Sequence, residues 1–165
     1  MDIFTIGFTQ TTAEHFFGRL DDAGVERVVD VRLRNDSQLA GFAKARDLPY
    51  FLAELIGADY VHEPLLAPTA EIMDAFKKRK GSWDDFAPDF RALLAERSVE
   101  TELDRAAFER PSALLCSEPE AEHCHRRLVV EYLAEKWGGV RGVDCLLYTS
   151  PSPRDLSTSR MPSSA

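Results

Sequence analysis

A chain of 165 residues, 44% hydrophobic and 29% charged, has room for one soluble domain around a single core and gives no sign of a second. Its 20 Lys and Arg against 28 Asp and Glu leave a net charge of −8, which argues against broad binding to nucleic-acid backbones or anionic membranes, though a local basic pocket is compatible with it. No run approaches the roughly 18 apolar residues of a membrane span, and the N-terminus has no basic stretch followed by an apolar one. Three cysteines without a regular framework fit a reduced compartment, so the cytoplasm is the expected location.

Residues 2–7, DIFTIG, alternate and close on glycine, which predicts a strand and then a turn through Gly7 and Thr9. Thr11 or Thr12 can cap a helix that turns Phe16, Phe17 and Leu20 inward and ends near Gly24. Residues 25–31, VERVVDV, follow as a second strand. Strand, helix, strand in that order predicts two neighbouring parallel strands. Asp30 and Arg32 then share one side of a carboxyl strand end. Arg supplies a planar fork of donors for carboxylate or phosphate, and Asp30 can hold it in position; the plainer alternative is a solvated strand-end pair.

Further on, residues 48–56 form a helix stopped by Gly57, and residues 58–62 a third strand on which His62 reads as an ordinary strand-end side chain. Residues 69–80 form a helix with Ile72, Met73 and Phe76 inward and Lys77 to Lys80 on a solvated face. Residues 83–97 read as an amphipathic helix interrupted or restarted at Pro88, and residues 103–108 as one more helical piece.

The chemistry concentrates in residues 112–137, SALLCSEPEAEHCHRRLVVEYLAEKW. An apolar run ends on Cys116, an acidic turn carries Glu118, and a helix follows with Leu128, Val129, Tyr132, Leu133 and Trp137 on one face. A strand end and the next helix start form the usual ligand crevice of an open α/β sheet. Cys124, His125 and Arg126 sit at that helix start, where the positive helix end and nearby cations favour a thiolate. The sequence leaves the roles open: Cys124 as nucleophile, or Cys116 reactive and Cys124 resolving it, with His125 or Glu118 moving the proton, or both cysteines as inert core residues. Zinc is disfavoured, because consecutive helical residues point about 100° apart and no second Cys or His pair has ligand spacing. No Gly-rich dinucleotide or phosphate loop and no nucleophile elbow is present, so no cofactor is expected.

From Cys145 the text becomes rich in Ser, Pro and Thr, and CLLYTSPSPRD resembles translated sequencing-library adapter. Residues 145–165 are therefore expected to be a non-native, disordered tail, with residues 1–144 as the domain.

Three stretches, Thr5-Ile6-Gly7, Asp30-Val31-Arg32, and Leu115 to Glu118 leading to Cys124-His125-Arg126, make the chain resemble the DUF488 family. The segments SQLAGF and YVHEPLLAP are similar to one branch of it. The resemblance implies a compact α/β domain whose motif residues gather at one site, and supplies no reaction. It also implies a further C-terminal strand closing on a histidine, which the adapter-like tail would replace.

The expected architecture is a single three-layer α/β domain with a mainly parallel sheet of about four or five strands. Its pocket should take a small anionic ligand, with a nucleotide compatible. Arg32 and Arg126 would hold negative charge, Asp30 and Glu118 would orient them or move protons, Cys124, His125 and Cys116 would carry the reactivity, and Gly7 and Thr9 would form the floor. The other class of reading is a noncatalytic binding or recruiting module with a structural Cys, His and Arg network. Oligomeric state is not legible in the sequence.

Overall fold

The structure is a computed structural model that describes residues 1–36, 41–77, 81–117 and 124–145. Five strands form one parallel sheet: β1 (Asp2–Gly7), β2 (Arg27–Asp30), β3 (Asp59–His62), β4 (Ser112–Cys116) and β5 (Arg141–Asp144), in the spatial order β3-β2-β4-β1-β5. β1 and β2 are parallel as expected but are not neighbours, because β4 lies between them. The cause is burial. All five residues of β4 are buried, and a strand apolar on both faces belongs in the middle of a covered parallel sheet.

Alternation along the strands feeds two cores. Ile3, Val29, Leu114 and Cys116 face one layer, with α4 (Trp83–Glu96) and α6 (His125–Trp137). Phe4, Ile6, Val28, Ala113 and Leu115 face the other, with α1 (Ala13–Asp22) and α2 (Leu48–Ile56). Helices on both faces of one parallel sheet make the three-layer α/β domain.

Local signals explain most boundaries. The Thr12 hydroxyl accepts from His15 N–H at the start of α1, and Gly57, at φ 66°, ends α2 in the left-handed conformation that glycine takes without a Cβ penalty. α3 spans Ala70–Lys77; Lys78 to Lys80 of the expected basic face lie outside the described residues. α4 runs unbroken through Pro88, against the expected interruption. Proline forfeits one backbone bond there, but Phe86, Phe90 and Leu94 bury one continuous face that keeps the helix in register. The single helical piece expected at residues 103–108 is instead a short α5 (Val99–Glu102) and a 3-10 turn, Arg105–Glu109.

β5 occupies the sheet edge that the sequence reading left incomplete. Gly142 on it packs so tightly against α6 that a Cβ would come within 2.8 Å of Val130 Cγ1. Cys145, the first residue of the expected tail, is fully buried, and its N–H donates to the Thr5 carbonyl at 2.7 Å. Residues 146–165 lie outside the described residues. No described helix is long and apolar enough to cross a membrane.

Candidate functional site

β2 and β4 run side by side with Asp30 opposite Leu115, so their carboxyl ends open on the same rim. Asp30 is fully buried. Its carboxylate accepts four hydrogen bonds: from the Arg32 backbone N–H at 3.1 Å, from Arg32 Nε and Nη2 at 2.8 Å each, and from the Tyr60 hydroxyl at 2.6 Å. Arg32 is 3% exposed. Its Nη2 also donates to the Ala43 carbonyl at 2.7 Å, its guanidinium lies 5.1 Å from the Phe8 ring centre, and Nη1 is buried without a hydrogen-bond partner among the described residues. The solvated strand-end alternative therefore does not describe this pair. Burial first, and then the bond to Asp30, hold the Tyr60 hydroxyl protonated far above its ordinary range. His62 lies beside Asp30 on β3 and donates Nε2–H to the Arg32 carbonyl at 2.9 Å.

β4 delivers the second corner. Because side chains alternate, Cys116 shares the face of Leu114 and turns toward α6. Cys124, extended in backbone, precedes the first turn of that helix. The sulfurs of Cys116 and Cys124 touch, while their Cα atoms stand 7.7 Å apart. Ordinary bridged pairs span roughly 4.4–6.8 Å, so a relaxed bridge here draws the two backbones closer together. Arg126, 0% exposed, donates Nη1–H to Cys116 Sγ at 2.8 Å. His125 donates Nε2–H to the Val31 carbonyl at 2.7 Å. In a neutral ring that bond leaves the lone pair on Nδ1, which lies 4.0 Å from Cys124 Sγ.

The two corners share one hollow of about 170 Å³, lined by Arg32, Arg34, Lys77, Ser117 and His125 with Met73 as an apolar wall. Arg32 and His125 reach it directly. Cys116, Cys124 and Arg126 are buried and do not line it, and Asp30 is bonded to Arg32. Gly7 pairs with Cys116 in the sheet, and Thr9 donates both its hydroxyl, at 2.6 Å, and its N–H, at 3.1 Å, to the Ser117 carbonyl. These two residues thus fix the exit of β4 rather than lining the hollow. Glu118 lies outside the described residues. Among the described residues no group of three or more His, Cys, Asp or Glu is placed to hold a metal ion.

Several members of the site escaped the sequence reading. Tyr60 and His62 are two apart on a strand paired with β2, a spacing that could have marked both. Lys77 was read as solvated surface, yet it lines the hollow from the end of α3. Phe8 and the Ala43 carbonyl carry no local signal.

A family model described as "Domain of unknown function DUF488" matches residues 12–133. The match holds both corners, from Asp30 to Arg126, and leaves out β1 and β5. Comparison with curated proteins and with solved structures found no matching chain.

Proposed function

The chain belongs to the DUF488 family, whose description carries no reaction, and we propose from the geometry that it is a thiol enzyme acting on a small anionic ligand at the carboxyl ends of the strands. His125 carries this reading. One ring lines the cationic hollow, is fixed by the Val31 carbonyl, and turns its other nitrogen to Cys124 Sγ. A base oriented by a hydrogen bond and facing a thiol is the arrangement that activates a cysteine nucleophile, and the 4.0 Å separation is of the kind that shortens when substrate is bound.

Cys124 is the nucleophile in this proposal and His125 accepts its proton at Nδ1. Arg34, Lys77 and the first turn of α6 draw the anion in, while Arg32, oriented by Asp30, offers Nη1. Arg126 favours negative charge on the thiol pair through Cys116. A nucleotide-like ligand fits this set of donors, and the cytoplasm fits reduced thiols. The burial of Cys116, Cys124 and Arg126 favours a second reading, a noncatalytic module in which the same residues are a structural network.

Alkylation separates the two. Cys124 should react with anionic iodoacetate faster than with neutral iodoacetamide, inorganic phosphate should protect it, and His125→Asn should remove both effects. A reagent ratio equal to that of free cysteine, unchanged by phosphate, sinks the enzyme proposal and leaves the structural network.

A further inference from the structure

Two cysteine sulfurs in contact, one against a cation and one against a base, form an arrangement whose chemistry does not depend on the anionic ligand. We propose that Cys116 and Cys124 are a two-electron redox couple that reduces hydroperoxides. The two sulfurs come from different elements, the last residue of β4 and the residue that precedes α6, and the fold brings them together across a sequence separation of 8. They differ in their surroundings. Arg126, fully buried, donates to Cys116 Sγ at 2.8 Å and favours the thiolate there. His125 Nδ1 faces Cys124 Sγ.

Access chooses the oxidant. Cys116 is 0% and Cys124 2% exposed, so the reagent must be small, and hydrogen peroxide or a short alkyl hydroperoxide meets that limit where a bulky disulfide does not. In the first step the Cys116 thiolate attacks the nearer peroxide oxygen. The S–O bond forms, the O–O bond breaks, and hydroxide leaves to be protonated to water, giving Cys116 sulfenic acid. In the second step His125 Nδ1 takes the proton of Cys124, the Cys124 thiolate attacks Cys116 Sγ, and the departing hydroxide takes the proton back from His125. The sum is two thiols and one peroxide going to one disulfide and two waters, or one water and one alcohol for an alkyl hydroperoxide. Bridging consumes Cys124, the nucleophile proposed above, so oxidation also switches that activity off until a dithiol reductant restores it.

Cys145 supplies an internal contrast. It is equally buried, and desolvation, with Asp144 adding to it, pushes its thiol up to about 12. It should remain unoxidised while the pair reacts.

The test uses the full chain, reduced, then treated with hydrogen peroxide at pH 7 and mapped by mass spectrometry. The expected result is loss of two hydrogens in a Cys116–Cys124 peptide, with Cys145 free, at a rate about tenfold or more above free cysteine, which is only a few per cent thiolate at that pH. Cys124→Ser should stop at a dimedone-trapped sulfenic acid on Cys116, and Cys116→Ser should lose the fast reaction. No internal bridge in the unmutated protein, or a bridge formed no faster than free cysteine oxidises, overturns the couple without need of any variant. Phosphate protection against iodoacetate surviving in that case leaves the anion proposal standing, and its loss beside an intact peroxide reaction removes the anion proposal alone.

Discussion

Two buried arginines stand at the carboxyl ends of the same sheet and put their charge to different uses. Arg32 is gripped edge-on by Asp30 through two hydrogen bonds of 2.8 Å. Arg126 aims a donor at the sulfur of Cys116. A guanidinium beside a carboxylate builds a rigid corner, whereas one beside a thiol makes the loss of that thiol's proton easier. In the proposed reading the rim therefore divides into a frame on the β2 and β3 side and a reactive half on the β4 and α6 side. The hollow lies where they meet.

The frame should fail hardest. Asp30→Ala removes the acceptor of four hydrogen bonds and leaves Arg32 charged and buried, so unfolding in urea should show a loss of ~3–5 kcal/mol. A loss below that of an ordinary surface substitution would mean that Arg32 is not held as a buried ion pair. The reactive half should respond in rate. Arg126→Met should slow alkylation of Cys116 at pH 7 by about tenfold, the effect of returning a stabilised thiolate to the few per cent of a free thiol. An unchanged rate would place Arg126 with Arg32 as framework.

Tyr60→Phe takes one of the four bonds from Asp30 and should cost ~1–2 kcal/mol, a hydrogen bond to a charged acceptor that is only partly buried. Its pH signature has a definite sign. The folded protein holds the Tyr60 proton more tightly than the unfolded chain, and Tyr132 is likewise pushed up to about 12, by burial first and then by its bond to Glu100. Their contribution is complete below pH ~10, where the unfolded tyrosines still keep their protons, and is lost as pH rises from there through the folded values. Urea unfolding at pH 8, 9.5 and 11 should therefore show a steeper alkaline decline for the unmutated protein than for Tyr60→Phe.

The frame was less legible in the sequence than the reactive half, and the reason is distance along the chain. Cys124, His125 and Arg126 are consecutive, so a helix start alone places them at a strand end. Strand identity was also local: DIFTIG and SALLC carry their own periodicity and apolarity, and Gly57 marks the end of α2 by itself. What Asp30 meets was not local. Tyr60 lies 30 residues from Asp30, and Ala43, which receives Arg32, lies 11 from that arginine. The insertion of β4 between β1 and β2 depends on which strand is most apolar relative to all the others, and no single window contains that comparison. Asp30 and Arg32 could be assigned to one side of a strand, but only the assembled layers take both out of water.

Burial is the variable behind the contrast, and α6 carries the control. One residue beyond Arg126, Arg127 pairs with Glu131 at 2.7 Å, one turn along the helix, with both side chains 45% exposed. Water screens this pair, and the two side chains surrender conformational freedom to make it, so Glu131→Gln should change stability by only ~0.3–0.5 kcal/mol, and by less as salt is added. The same kind of contact, a guanidinium on a carboxylate, is thus expected to be worth several-fold less here than at Asp30 and Arg32. If urea unfolding instead gave Glu131→Gln a cost equal to that of Tyr60→Phe, burial would not be what separates the frame from the surface, and the division of the rim into a fixed and a reactive half would lose its physical basis.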